Sequence, residues 1–171
     1  QAKGSSQPAD KRADITPLLV DELLSISNLE HTNEKHQAIT RALSLSLVAD
    51  MVYLVELETP GKEVKLLAGY DLIREQPLPA AVSLPWESLP NILGAWENFQ
   101  PYAPNHPPLE TRDARTLTEV LNYHRIGNVL AVPLRLNAQN LKGGVIFLSP
   151  YTDKVWGGSA RYLMDKIECT L

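Results

Sequence analysis

The sequence contains a single cysteine, Cys169, among 171 residues. One thiol cannot form an internal disulfide, so nothing indicates the oxidising compartment of secreted proteins. No apolar stretch is long enough to span a bilayer, and the N-terminus lacks the hydrophobic segment of a signal peptide. We therefore predict a soluble, cytoplasmic chain that does not insert into a membrane.

Positive charge is also scarce. The chain has 16 Lys and Arg against 20 Asp and Glu, which gives a formal net charge of -4. Proteins that bind nucleic acid usually present a cluster of basic residues to the phosphate backbone. No such cluster occurs in this sequence, so we predict that nucleic acid is not a partner.

Recognisable catalytic motifs are missing. The sequence contains no glycine-rich phosphate loop, no His-Glu-x-x-His and no Gly-x-Ser-x-Gly. The four histidines are His31, His36, His106 and His124. His31 and His36 would lie about 140° apart on a helix, and His106 has no second ligand near it in sequence, so we expect no metal site. A regulatory or binding module is favoured over an enzyme, although an acid–base pair from distant positions stays open.

Hydrophobic periodicity predicts the helices. Residues 1–14 are polar and aperiodic, and we interpret them as a linker or disordered segment. Apolar residues recur at helical spacing in five later stretches. These predicted helices cover residues 17–28, 32–49, 88–97, 113–123 and 158–171. Gly127, shortly after the fourth of them, is expected to adopt the conformation that ends a helix.

Apolar runs of a different kind predict the strands. They cover residues 51–57, 64–70, 82–84, 128–136 and 143–149, with an edge strand at 101–103. Several are apolar at consecutive positions, which is typical of strands that are covered on both faces. We therefore predict an α/β (α+β) fold with a central antiparallel sheet of five or six strands. Terminal helices cover one face, and loops and short helices lie over a pocket on the other.

Four stretches resemble the GAF domain in order and spacing. They are residues 42–50, 67–70, 126–134 and 143–148. The resemblance implies that residues 15–171 form a single GAF-like domain cut from a larger signalling protein. Pro133 falls in the third stretch, where proline would ordinarily place a strand at the edge of a sheet. The family tolerates proline there, so we expect a local irregularity at Pro133.

The resemblance does not identify a ligand. The tetrapyrrole-binding branch of the family needs a cysteine in the middle of the domain, and Cys169 lies at the wrong place, so no covalent tetrapyrrole is expected. The branch that reduces methionine sulfoxide needs several cysteines. The branch that binds cyclic nucleotides has a spaced Asn-Lys-Phe-Asp-Glu signature, which we do not find. The cofactor is therefore unassigned.

Aromatic and polar residues in the predicted cap and beside the strands are the candidate ligand contacts. They are Tyr53, Trp86, Trp96, Tyr102, Tyr123, His124 and Asn128. The alternative interpretation is that the tryptophans fill the core and the polar atoms are solvated.

The resemblance implies a sensory domain that binds a small molecule. Its terminal helices would relay the signal to an output domain of the histidine kinase, cyclase or transcription-regulator type, as in two-component systems. The alternative is a degenerate module that forms a homodimer through its terminal helices and relays signals without a ligand.

Overall fold

The computed structural model describes residues 33–58, 62–104, 106–108, 110–135 and 141–156. The predicted linker at 1–14, the predicted helices at 17–28 and 158–171, and the division of the chain at residue 15 lie outside these residues. Within the described ranges, no helix is both long and apolar enough to cross a membrane.

Three α-helices and six strands make up this part of the chain. The helices are α1 (Asn33–Leu47), α2 (Pro90–Glu97) and α3 (Arg112–Leu121), and a 3-10 turn at Trp86–Ser88 precedes α2. The strands are β1 (Met51–Glu58), β2 (Glu63–Asp71), β3 (Gln76–Pro77), β4 (Val82–Pro85), β5 (Val129–Arg135) and β6 (Leu141–Leu148). All but β3 coincide with predicted elements, since residues 71–81 were expected to form a loop.

The six strands form one antiparallel sheet. Its order is β3-β2-β1-β6-β5, and β4 pairs with β2 outside this path. Met51 opposes both Asp71 and Leu148. The start of β1 therefore lies at the same end of the sheet as the last residues of β2 and β6. This architecture confirms the predicted α+β fold with an antiparallel sheet of five or six strands.

Both faces of the sheet are buried, as the consecutive apolar residues predicted. Val52 and Leu54 of β1 belong to a core that includes Leu43 of α1. The residues that alternate with them along β1, such as Tyr53 and Val55, belong to a second core that includes Leu117 of α3. Side chains alternate across a strand, so a doubly covered strand needs apolar residues at successive positions.

Two aromatic rings fill the second core because glycines leave room for them. A Cβ atom added to Gly144 of β6 would lie 2.4 Å from Cη2 of Trp96. One added to Gly69 of β2 would lie 2.6 Å from Cε1 of Tyr53. Real atoms cannot approach this closely, so each ring lies directly against the strand backbone. The sheet and its capping helix are therefore tightly packed around Trp96 and Tyr53.

The structure corrects one expectation and refines another. Asn122, with φ of 53°, ends α3 in the left-handed conformation, so the prediction that Gly127 ends this helix is wrong. Gly127 instead has φ of 68° just before β5, where a Cβ would clash with the carbonyl oxygen of Ser149. Strand β5 ends the sheet path, and an irregularity in its pairing follows Pro133, between Leu134 and Arg135. The outer position fits the missing N–H of proline.

Candidate functional site

A pocket of about 470 Å³ opens at the end of the sheet where β1 begins and β2 ends. Four segments of the chain meet there: the start of β1, the turn and loop that follow β2, the C-terminal end of α3, and the turn after β6. We call this the sheet-end pocket. Its lining residues are Met51, Asp71, Arg74, Gln76, Pro77, Leu78, Pro79, Leu121, Asn122, Tyr123 and Tyr151. The volume lies within the usual range for small-molecule sites.

Asp71 organises one side of the pocket. It is the last residue of β2, and its side chain is buried. Oδ1 accepts a hydrogen bond from the backbone N–H of Arg74 at 2.9 Å, which is how aspartate commonly begins a turn. Oδ2 accepts a hydrogen bond from the hydroxyl of Tyr151 at 2.7 Å. One carboxylate therefore positions both the turn that carries Arg74 and an aromatic ring of the opposite wall.

Two tyrosines and one arginine form the aromatic side of the pocket. The rings of Tyr123 and Tyr151 meet edge to face, with centroids 5.6 Å apart. The guanidinium carbon of Arg74 lies 5.8 Å from the Tyr123 centroid and 5.6 Å from the Tyr151 centroid. These distances fall within the range of cation–π attraction. The arginine is thus held beside both rings while its residue remains exposed to solvent.

The Tyr151 hydroxyl is a hydrogen-bond donor at physiological pH. Burial raises its pKa above the usual value, and the hydrogen bond to Asp71 and the negative charge of that residue raise it further. The positive charge of Arg74 acts in the opposite direction. The neutral phenol is favoured because its proton already bonds to a carboxylate.

The turn after β6 is anchored by a second buried aspartate. Asp50 lies between α1 and β1, and its Oδ2 accepts hydrogen bonds from the backbone N–H groups of Tyr151 and Thr152, both at 2.8 Å. The Thr152 hydroxyl donates to the same carboxylate. Three donors on one buried carboxylate anchor this turn to the junction of α1 and β1. A displacement of Tyr151 would therefore alter the hydrogen bonds of Asp50 at the junction of α1 and β1.

Of the predicted ligand contacts, Tyr123 lines the sheet-end pocket and His124 lies next to it. The rings of these two residues are 4.4 Å apart. His124 is exposed and lines two neighbouring surface depressions instead. Tyr53 is buried beneath the pocket rim, and its hydroxyl donates to the carbonyl oxygen of Pro79 at 2.7 Å. The structure thus brings Tyr123 and His124 together at the pocket and places Tyr53 behind its wall.

Three of the other predicted contacts lie outside the sheet-end pocket. Trp96 is buried, and its indole N–H donates to the carbonyl oxygen of Ala131. The indole N–H of Trp86 donates to the carbonyl oxygen of Glu63 on β2. Tyr102 forms a single bridge to Ala131. Burial raises the pKa of Tyr102, the Asp113 charge adds to the effect, and a hydrogen bond with Asn91 opposes it.

Asn128 is buried just before β5 and helps to anchor the turn after β6. Its Nδ2 donates to the carbonyl oxygen of Asp153 at 3.0 Å. Its backbone N–H donates to the hydroxyl of Ser149. Its Oδ1 has no hydrogen-bond partner among the residues that the structure describes. Asn128 therefore acts on the same turn as Asp50, although it does not line the sheet-end pocket.

Among the pocket residues that sequence reasoning missed are the three that organise it: Asp71, Arg74 and Tyr151. Asp71 gave a usable signal, because a charged residue directly after a buried strand often marks the end of a sheet where loops meet. Arg74 and Tyr151 lie far apart in sequence, and no local pattern relates them. Within the described ranges, no group of three or more His, Cys, Asp or Glu side chains is placed to hold a metal ion.

The backbone is similar to solved structures across nearly its whole length. It matches a free methionine-R-sulfoxide reductase from Neisseria meningitidis, solved with its substrate, at 13% identity and a TM-score of 0.65, over 95% of this chain and 89% of that one. It matches a phycocyanobilin-bound GAF domain from a cyanobacterial phytochrome at 10% identity and a TM-score of 0.62, over 96% and 94%. A GAF domain of a phosphoenolpyruvate-protein phosphotransferase from Coxiella burnetii matches at 14% identity and a TM-score of 0.52, over 90% and 92%.

These likenesses show that the fold is GAF-like, as the sequence resemblance implied. Most of the similar structures are named as GAF domains. No protein-family model matches the sequence, and no curated protein matches it significantly. Because the sequence identities are low, the comparison shows the fold alone. Any ligand of this chain must be inferred from its own residues.

Proposed function

We propose that this GAF-like domain is a cytoplasmic, non-catalytic sensory module that binds a small molecule in the sheet-end pocket. Its terminal segments relay the binding to an output domain of the histidine kinase, cyclase or transcription-regulator type in the same protein. The observation that carries the proposal is the position of Tyr151. Its ring lines the pocket, while its backbone N–H is bound by Asp50 in the turn that precedes residues 157–171.

The contacts around Tyr151 support a relay in both directions along the chain. A ligand that moves the Tyr151 ring must change its hydrogen bond to Asp71, its backbone bond to Asp50, or both. Asp50 joins α1 to β1, so the same displacement acts on α1. A ligand can change the position of the Tyr151 ring only if its affinity differs between the two positions of the ring, before and after the movement. Direct contact with Tyr151 provides that difference.

Similar structures with bound small molecules add support. One holds phycocyanobilin and another holds the substrate of a reductase. The fold can therefore accommodate ligands of very different chemistry. In this chain we assign a direct ligand contact to Tyr123 and support of the pocket rim to Tyr53, through Pro79. Ligand contacts by Trp86, Trp96, Tyr102, His124 and Asn128 stay predictions.

The two methionines of the chain, Met51 and Met164, allow binding and relay to be measured separately. Met51 lines the pocket, and Met164 lies in the C-terminal segment. We expect a ligand from a panel of organic acids, amino acids, nucleosides and phosphates to shift the Met51 methyl signal in an NMR spectrum of methyl-labelled protein. The Met164 signal should shift at the same ligand concentration. Met164→Leu assigns the two signals.

Variants of two buried aspartates test the relay. Asp50→Asn should keep the ligand-induced shift of Met51 and reduce that of Met164, because the anchor of the turn is weakened. Asp113→Asn is the matched control, since Asp113 is equally buried but accepts bonds from Asn91 and Ile92. It should preserve both shifts. A panel that never shifts Met51 would contradict ligand binding, and an undiminished Met164 shift in Asp50→Asn would contradict the relay.

The second candidate function is a module that dimerises and relays signals without a ligand. The tight packing of Trp96 and Tyr53 favours it, because it leaves the space between the sheet and α2 filled. Leu45 in the last turn of α1 and Val48 just after the helix are 51% and 59% exposed, and they would suit an interface between copies. Sedimentation equilibrium of the wild type and Leu45→Glu distinguishes the two candidates. A ligand-independent dimer that this substitution dissociates would favour the second.

A further inference from the structure

The guanidinium of Arg74 is held in place with its hydrogen-bond donors available. Its contacts are to the rings of Tyr123 and Tyr151. The Arg74 side chain has no hydrogen-bond or ion-pair partner among the residues that the structure describes. A cation–π contact leaves the N–H groups of arginine free to donate to another acceptor. Arg74 therefore offers a charged donor set at the pocket opening.

The position of this guanidinium is prepared by neighbouring contacts. Asp71 accepts the backbone N–H of Arg74 and the hydroxyl of Tyr151. The turn that carries the arginine and one of the rings beside it are therefore tied to the same carboxylate. Ordering a long arginine side chain normally costs conformational entropy. Part of that cost is already met before a ligand arrives, which strengthens binding.

The charges of the pocket favour a ligand with one negative group. Arg74 is the one positive lining residue and Asp71 is the one negative lining residue in the described chain. Asp71 is 1% exposed and already accepts two hydrogen bonds, whereas Arg74 faces solvent. A nucleotide with several phosphate charges would find a single counter-charge here. One guanidinium matches one carboxylate in charge, and a pair of its N–H donors matches the spacing of the two carboxylate oxygens.

Most of the remaining lining residues are apolar or aromatic, with Gln76 and Asn122 as the exceptions, and they favour an apolar body on that ligand. Met51, Leu78 and Leu121 contribute aliphatic surface, and the two tyrosines contribute ring surface. A flat or aliphatic group can pack against this surface while a carboxylate reaches Arg74. The volume of about 470 Å³ accommodates a molecule of this size.

We infer that the sheet-end pocket takes a small monocarboxylate with an apolar or aromatic body, and that Arg74 binds its carboxylate. This inference rests on the proposed function, because it specifies the ligand class of the same pocket. Arg74 then determines specificity for the acid over its neutral and cationic analogues. Tyr123 and Tyr151 contact the body of the ligand and hold the guanidinium.

Three probes of nearly equal shape test the ligand class: benzoate, benzamide and benzylamine. Each is titrated into the wild-type chain while the Met51 methyl signal is followed by NMR. We expect benzoate to shift Met51 saturably and to bind about tenfold or more tightly than benzamide, since only the acid forms a charge-assisted bond. Benzylamine should not bind, because its ammonium group would face the guanidinium. Phenyl phosphate, which has a second negative charge, should bind more weakly than benzoate.

Arginine variants test the residue itself. Arg74→Gln should weaken benzoate binding about tenfold to a hundredfold and leave the weaker benzamide binding unchanged. Arg74→Lys should recover part of the loss, because it restores the charge without the paired donors. Arg112→Gln is the matched control, an exposed arginine at the start of α3 that is not part of the pocket lining. It should bind benzoate as the wild type does.

Each outcome bears on the inference. Equal affinities for benzoate and benzamide, or benzoate binding that Arg74→Gln does not weaken, would overturn it. Saturable binding of benzylamine would also overturn it while leaving small-molecule sensing by this pocket in place. If none of the probes shifts Met51, the assigned ligand class is wrong. The wider panel of metabolites then decides whether the proposed sensory function falls as well.

Discussion

Tyr53 and Trp96 in the second core differ from Tyr123 and Tyr151 in the sheet-end pocket, although all four are aromatic with one polar hydrogen each. In the core, each polar hydrogen bonds to a backbone carbonyl and each ring lies against a glycine. In the pocket, the rings are half-buried and lie beside charged side chains. Aromatic rings that are buried with their donors hydrogen-bonded stabilise the fold. Half-buried rings beside the unpaired guanidinium donors of Arg74 are suited to binding a ligand.

Trp96→Ala should produce the largest effect on stability. It removes a fully buried ring that packs against Gly144, and we expect a loss of about 3–5 kcal/mol in the free energy of unfolding. Trp86→Ala is the matched control, because Trp86 is only half-buried; it should cost about 1 kcal/mol. Urea denaturation measures both. Equal losses would mean that the buried ring of Trp96 is packed no more tightly than the half-buried ring of Trp86.

Asp113→Asn and Asp71→Asn should have the next largest effects, about 1–3 kcal/mol each, because both carboxylates are buried and accept two hydrogen bonds. Their consequences for binding should differ. Asp113 caps α2, whereas Asp71 positions Arg74 and Tyr151. We therefore expect only Asp71→Asn to weaken ligand binding, as followed by the Met51 methyl signal. Weakened binding in Asp113→Asn as well would mean that the core and the pocket are not separate.

Alkaline pH should change the free energy of unfolding by a smaller amount, and by different amounts for a tyrosine of each region. Burial raises the pKa of both Tyr53 and Tyr151. The unfolded chain releases these protons near pH 10 and the folded chain holds them, so their contribution is complete below about pH 10 and declines as pH rises further. One proton supplies at most about 1.4 kcal/mol per pH unit. Tyr151 should contribute less than that because solvent reaches its ring.

The comparison of Tyr53→Phe with Tyr151→Phe measures this difference. The free energy of unfolding is followed from pH 8 to pH 11 by urea denaturation. Tyr53→Phe should flatten the decline above pH 10 more than Tyr151→Phe does. A larger flattening in Tyr151→Phe would show that the Tyr151 hydroxyl is the more protected of the two.

Arg74→Gln should have the smallest effect on stability. The arginine is exposed and makes cation–π contacts only, which contribute about 0.5–1 kcal/mol at such sites. Thermal unfolding of the variant should therefore be close to that of the wild type, so any loss of benzoate binding reports on the site. A loss of stability comparable to that of Asp71→Asn would show that Arg74 is structural.

The sheet and the helices that cover it could be predicted from the sequence, because burial requires apolar residues in local, regular patterns. Consecutive apolar residues, as in residues 51–57, indicate a strand that is buried on both faces, and a neighbouring helix shows its period over a few turns. The short strand β3 was not predicted because it has only two residues, the polar Gln76 and the proline Pro77, and neither residue type favours a strand. Only their pairing with Tyr70 and Asp71 makes them a strand.

The pocket was decided by the tertiary structure. Tyr123 was predicted as a ligand contact from its residue type and position, but Asp71, Arg74 and Tyr151 have no such local pattern. The hydrogen bond between Tyr151 and Asp71 joins residues 80 apart in sequence, and the one between Tyr151 and Asp50 joins residues 101 apart. Hydrophobic periodicity fixes which face of each element is buried. Which polar side chains meet at the end of the sheet depends on strand order and register, and those follow from the packing of the whole chain.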